Sequence, residues 1–96
     1  MAHRVIDNRD AQQFELEQDG ERAVLAYERR DGAIALIHTE VPRALRGRGV
    51  GEALVAGALQ QARAEGLRII AVCSFVRHYL RTHPRENDND AAGREP

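Results

Sequence analysis

Two Asp-Gly dipeptides, Asp19-Gly20 and Asp31-Gly32, lie between three segments that alternate apolar with polar residues. Asp-Gly favours a tight hairpin turn because both residues tolerate a positive φ. "QFELEQDG" alternates with Phe14 and Leu16 on one face, and "ERAVLAYERR" sets Ala23, Leu25 and Tyr27 against Val24 and Ala26. The third segment, "AIALIHTEV", is apolar on both faces from Ala33 to Ile37, as a central strand should be. Two turns joining three such segments predict an antiparallel meander. Val5 and Ile6 open a short strand before it.

Pro42 ends the meander, and the period then changes. Leu54, Ala58 and Ala62 recur at helical spacing from Val50 onward, with Val55 and Leu59 beside them. Gly66 follows the last turn, where a left-handed residue is expected. "LRIIAVCSF" predicts a strand from Leu67 to Cys73, and "FVRHYLRTH" a short helix capped by Ser74 and closed by Pro84. The order is β-β-β-β-α-β-α, and the helical connection between the last two strands is long enough for a parallel crossover. The expected fold is α+β: a small, mixed, mostly antiparallel sheet of about five strands, one long helix after strand 4 and one short helix after strand 5. One domain is expected over residues 1–84, with a polar, disordered tail over residues 85–96.

Composition narrows the function. The net charge of −1 and 4% aromatic content argue against a nucleic-acid-binding face. No apolar run approaches the roughly 18 residues of a membrane span, and no secretory h-region is visible. A single cysteine, Cys73, excludes an internal disulfide framework, and four histidines show no metal-ligand spacing, so no metal is expected. A reduced, cytoplasmic, monomeric domain is the expectation. All 14 basic residues are arginine, which removes lysine-based nucleophiles from the chemistry.

The stretch "RALRGRGVGEALV" concentrates glycine and arginine at a helix start. Unpaired N–H groups and the helix dipole favour an anion there, and Gly47, Gly49 and Gly51 let backbone approach it closely. Arg46 and Arg48 add charge. The nucleotide P-loop needs a lysine that this chain lacks, and "GRGVGE" is one residue short of the dinucleotide fingerprint. A flexible basic surface loop is the structural alternative.

Arg46-Gly47-Arg48-Gly49-Val50-Gly51 resembles the (Gln/Arg)-x-x-Gly-x-(Gly/Ala) signature of the GNAT superfamily of N-acetyltransferases. "HTEVPRALRGRGVGEALV" and "CSFVRHYLRTHP" resemble the short YjdJ-type subfamily, the likeness running from about Val5 to Pro84. The chain differs at Ala71, where members often carry proline, and at "HPREND" in place of His-Pro-Glu-Tyr. The resemblance implies a GNAT-like fold, acetyl-coenzyme A as co-substrate, and transfer of acetyl to a primary amine of a protein, peptide or small molecule. It implies that Arg46, Gly47, Arg48, Gly49, Val50, Gly51 and Glu52 hold the pyrophosphate. It further implies that His38, Thr39 and Val41, on the fourth strand, pair with the pantetheine arm as an added strand would. A splay between the fourth and fifth strands would admit the thioester.

Three residues are candidates for chemistry. Cys73, between a strand and a helix start, is either a nucleophile that would form an acetyl-enzyme, or a low-pKa thiol beside the acetyl group, or a buried apolar side chain. Glu40 is either the proton acceptor for the amine or a solvated strand-end carboxylate. Tyr79 is either the acid that protonates departing coenzyme A, as in many GNAT enzymes, or a core residue. His38 shares a strand face with Glu40 and is a weaker candidate base. GNAT enzymes commonly insert helices between their first strands; the short turn here implies a shallow, open acceptor side. The alternative function is a non-catalytic module that binds coenzyme A or acyl-coenzyme A and regulates a partner.

Overall fold

The computed structural model describes residues 4–84, so the tail expected over residues 85–96 lies outside the described residues. Five strands, β1 (Val5–Asn8), β2 (Gln13–Gln18), β3 (Glu21–Arg30), β4 (Ala33–Glu40) and β5 (Arg68–Ala71), form one sheet in the order β1-β2-β3-β4-β5. The first three pairings are antiparallel; β4 and β5 run parallel, joined by helix α1 (Val50–Ala64). Helix α2 (Ser74–Thr82) follows β5. This is the α+β fold that the alternation and the helical period predict.

The Asp19-Gly20 turn takes positive φ at both residues, 54° and 79°, matching the right-handed twist of the strands it joins. Phe14, Leu16, Ala23, Leu25, Tyr27, Ile34 and Leu36 share one sheet face and are buried with Leu54, Val55, Ala58, Leu59 and Ala62 of α1. Each large side chain so buried stabilises the fold by about 1.5–3 kcal/mol, so this single interface dominates the core. Gly57 of α1 allows a close approach to the sheet: a Cβ there would lie 2.7 Å from Cβ of Val5 on β1.

Two local features depart from the alternation and leave one edge of β4 open. On β4, Ala26↔His38 is followed by Tyr27↔Leu36, which leaves Ile37 as an extra, bulged residue. The sequence could not show this, because an apolar Ile37 fits an uninterrupted strand equally well. The parallel pairing to β5 ends at Leu36↔Ala71, one residue before that bulge. There the N–H groups of both Val72 and Cys73 donate to the Leu36 carbonyl, at 3.0 and 2.9 Å. The expected strand to Cys73 therefore stops at Ala71, since the shared acceptor turns the chain out of the ladder. Cys73, not Ser74, occupies the N-cap of α2, and Ser74 is its first helical residue.

Candidate functional site

Past Leu36 the second edge of β4 has no strand partner among the described residues, and β4 and β5 diverge. The chain runs from that edge through Val41 and Pro42 into a 3-10 turn at Arg43–Leu45, anchored by buried Leu45, and then into α1. A cleft of about 850 Å³ follows the same path. His38, Thr39, Glu40 and Val41 line it from β4, and Arg46, Gly47, Gly49, Val50, Gly51 and Glu52 from the approach to α1.

At the helix end the cleft suits an anion. Gly49 occupies the N-cap of α1 with φ of 78° and supplies no side-chain cap. The N–H groups of Val50, Gly51 and Glu52 consequently lack the intrahelical acceptors that later residues have. Gly47 is also left-handed, at φ 76°, and a Cβ built on Gly47 or Gly49 would meet nothing within 4 Å. These two glycines therefore answer to backbone conformation and leave open space before the helix start. Gly51 is different: it is buried, and a Cβ there would lie 2.9 Å from the Phe75 ring and 3.5 Å from Val41.

The arginines divide. Arg46 lines the cleft and its Nε donates to the Val41 carbonyl at 3.1 Å. Arg48 is outside the lining; its guanidinium donates to Asp19 at 2.7 Å. That contact secures the approach loop to the β2–β3 turn.

The other end of the cleft carries two of the proton-transfer candidates, His38 and Glu40. Glu40 pairs across the sheet with Val24, and His38 with Ala26, so both side chains stand on the face opposite α1. They are exposed and 3.4 Å apart. Thr39, paired with Leu25, turns to the α1 side, where its hydroxyl lies 3.3 Å from Sγ of Cys73. Burial pushes the Cys73 thiol up, but the Thr39 hydroxyl and the N–H groups of Val76 and Phe75 outweigh it and leave the thiol below its ordinary range. Cys73 is 8% exposed and stands behind Thr39, outside the lining. Tyr79 is 5% exposed, stacks on His83 with ring centroids 3.9 Å apart, and is also outside it.

Arg22, Pro42, Leu45 and Phe75 complete the cleft without having been picked out from the sequence. Phe75 carried a visible signal, its position two residues after Cys73, but its apolar neighbours in α2 made it look like core. Arg22 gave none: it enters only because β3 pairs with β4, and Glu17 holds its guanidinium at 2.6 Å. Among the described residues no group of three or more His, Cys, Asp or Glu could hold a metal ion, and no helix is long and apolar enough to cross a membrane.

Comparison with known proteins adds three findings. Residues 13–89 match the family described as GCN5-related N-acetyl-transferase. Protein NATD1 of mouse is 38% identical over 84 residues, covering 84% of this chain and 76% of the mouse protein. Protein NATD1 of Xenopus tropicalis is 33% identical over 99 residues, covering 88% and 91% of the two chains.

Proposed function

The chain belongs to the GCN5-related N-acetyltransferase family, and we propose that it transfers acetyl from acetyl-coenzyme A to a primary amine. One observation carries this reading: an unpartnered strand edge leads directly into a helix start with unsatisfied N–H groups, and both line a single cleft. An extended amide-bearing arm can add to the β4 edge as a strand would. Its pyrophosphate then meets the N–H groups of Val50, Gly51 and Glu52, the open space before Gly47 and Gly49, and the charge of Arg46. The donor set fits that ligand, whose part in the chemistry is to supply an activated acetyl thioester.

This chain's own residues bind, orient and move protons. Attack by the amine nitrogen on the thioester carbonyl forms the C–N bond, the C–S bond breaks, and the sulfur leaves with the electron pair. Glu40, exposed at the cleft, accepts the amine proton directly or through water. The placement of Cys73 behind Thr39 favours direct attack over an acetyl-enzyme. Two groups are candidates for returning a proton to the departing sulfur: Cys73, which touches the cleft wall through Thr39, and Tyr79; comparing Cys73→Ala with Tyr79→Phe separates them.

Only residues 9–12 join β1 and β2, too few for an inserted helix to wall the acceptor side, which favours a large or flexible amine such as a peptide or protein lysine or N-terminus. The chain contains no lysine, so a side-chain amine must come from another molecule. Its single, buried thiol suits a reducing compartment, and we assign it to the cytoplasm.

Calorimetric titration with acetyl-coenzyme A should give saturable binding, and release of free thiol should depend on an added amine. Glu40→Gln should lower kcat about 100-fold while leaving acetyl-coenzyme A affinity within about twofold. Saturable binding with no amine-dependent release across a broad amine panel would replace this reading with a coenzyme A-binding module.

A further inference from the structure

The three glycines of the approach to α1 do not share one reason to be small. Gly47 and Gly49 face open space, whereas the missing side chain of Gly51 is matched to Phe75. A Cβ on Gly51 would lie 2.9 Å from Cζ and 3.3 Å from Cε2 of that ring, closer than packed carbon atoms approach. Phe75 lies in the first turn of α2, two residues after Cys73, whose sulfur meets Thr39 of β4. The ring also lines the cleft. The ring therefore carries α2 against the start of α1, beside Val41.

We propose that Gly51 and Phe75 form a size-matched pair that sets the position of the first turn of α1, making Phe75 a positioning residue for the anion end of the cleft. The inference rests on the reading that this cleft takes acetyl-coenzyme A. Gly51 is small for the sake of the neighbouring helix, and the ligand benefits indirectly. An added methyl group must displace either the ring or the helix start. Displacing the helix start moves the N–H groups of Val50, Gly51 and Glu52, which no side-chain cap holds in place, and displacing the ring alters the cleft wall beside them. Leucine at position 75 keeps an apolar side chain but lacks the Cε and Cζ atoms that make the contact.

The test is a double-mutant cycle on Gly51→Ala, Phe75→Leu and the combined variant. It reads acetyl-coenzyme A affinity, KM and kcat for amine-dependent thiol release, and the thermal midpoint of each protein. Gly51→Ala alone should weaken acetyl-coenzyme A binding roughly tenfold and raise its KM, with little change in kcat. The combined variant should recover to within about threefold of wild type, a coupling that independent sites do not show. Binding as weak in the combined variant as in Gly51→Ala would overturn the inference, because Gly51 would then be serving the ligand directly. Should the wild type fail to bind acetyl-coenzyme A, the underlying reading falls, and the ligand part of the inference with it. The thermal midpoints still judge the packing pair in that case, recovery in the combined variant supporting it and additive losses overturning it.

Discussion

Thr39 on β4 and Cys73 at the N-cap of α2 meet where β4 and β5 part. The contact matters because the thiol is buried, and burial alone disfavours the thiolate. With the Thr39 hydroxyl present the balance tips the other way. Replacing Thr39 by Val keeps the shape and removes the hydroxyl. The titration of Cys73, followed by thiolate ultraviolet absorbance, should then move to higher pH. Because a lowered folded-state pKa favours the charged form, the thiolate's contribution to stability appears as pH rises, and Thr39→Val should diminish it. An unchanged titration would mean that the N–H groups of Val76 and Phe75 are sufficient alone. Sequence reading placed Cys73 at a strand-to-helix junction but could not supply Thr39, since the two are 34 positions apart.

Elements were more legible than contacts. The two Asp-Gly turns, the alternation of Ala23, Leu25 and Tyr27, and the Leu54-Ala58-Ala62 series each report a local period, and each period survives in the fold. The bulge at Ile37 and the early end of β5 were hidden because they depend on hydrogen bonds across strands, to which side-chain polarity is blind. Gly57 makes the same point within α1. Intrinsic propensity favours Ala over Gly in a helix interior by about 1 kcal/mol. Against that, a Cβ at this position collides with Val5, and overpacking costs about 1–3 kcal/mol. Packing should win: Gly57→Ala should lower stability in urea denaturation, and adding Val5→Ala should recover part of the loss. A more stable Gly57→Ala protein would show that β1 yields readily.

At the scale of the whole molecule, the two ends of α1 are held differently. At its C-terminal end Glu65 accepts from Arg29 at 2.8 Å and Arg9 at 2.9 Å. Arg29 also reaches Asp7 at 3.0 Å, and Asp7 accepts from the Tyr27 hydroxyl at 2.6 Å, which joins β1, β3 and the helix in one network. At the other end, about 22 Å away by the helical rise, the uncapped first turn leans on Phe75. The sheet divides along the same axis. Leu36, whose carbonyl takes two N–H groups, is the last point at which β4 is flanked on both sides. The fork at Leu36 therefore separates two rates of hydrogen exchange within one strand. Amides of residues 34–36 should exchange only with global opening, whereas alternate amides of residues 37–41, turned away from β3, should exchange with the solvent readily. Acetyl-coenzyme A should slow the second group and leave the first unchanged, and deuterium uptake measured with and without it reads the difference. In those terms the protein carries an unfinished sheet, and on the proposed function the arm of acetyl-coenzyme A is the strand that would complete it.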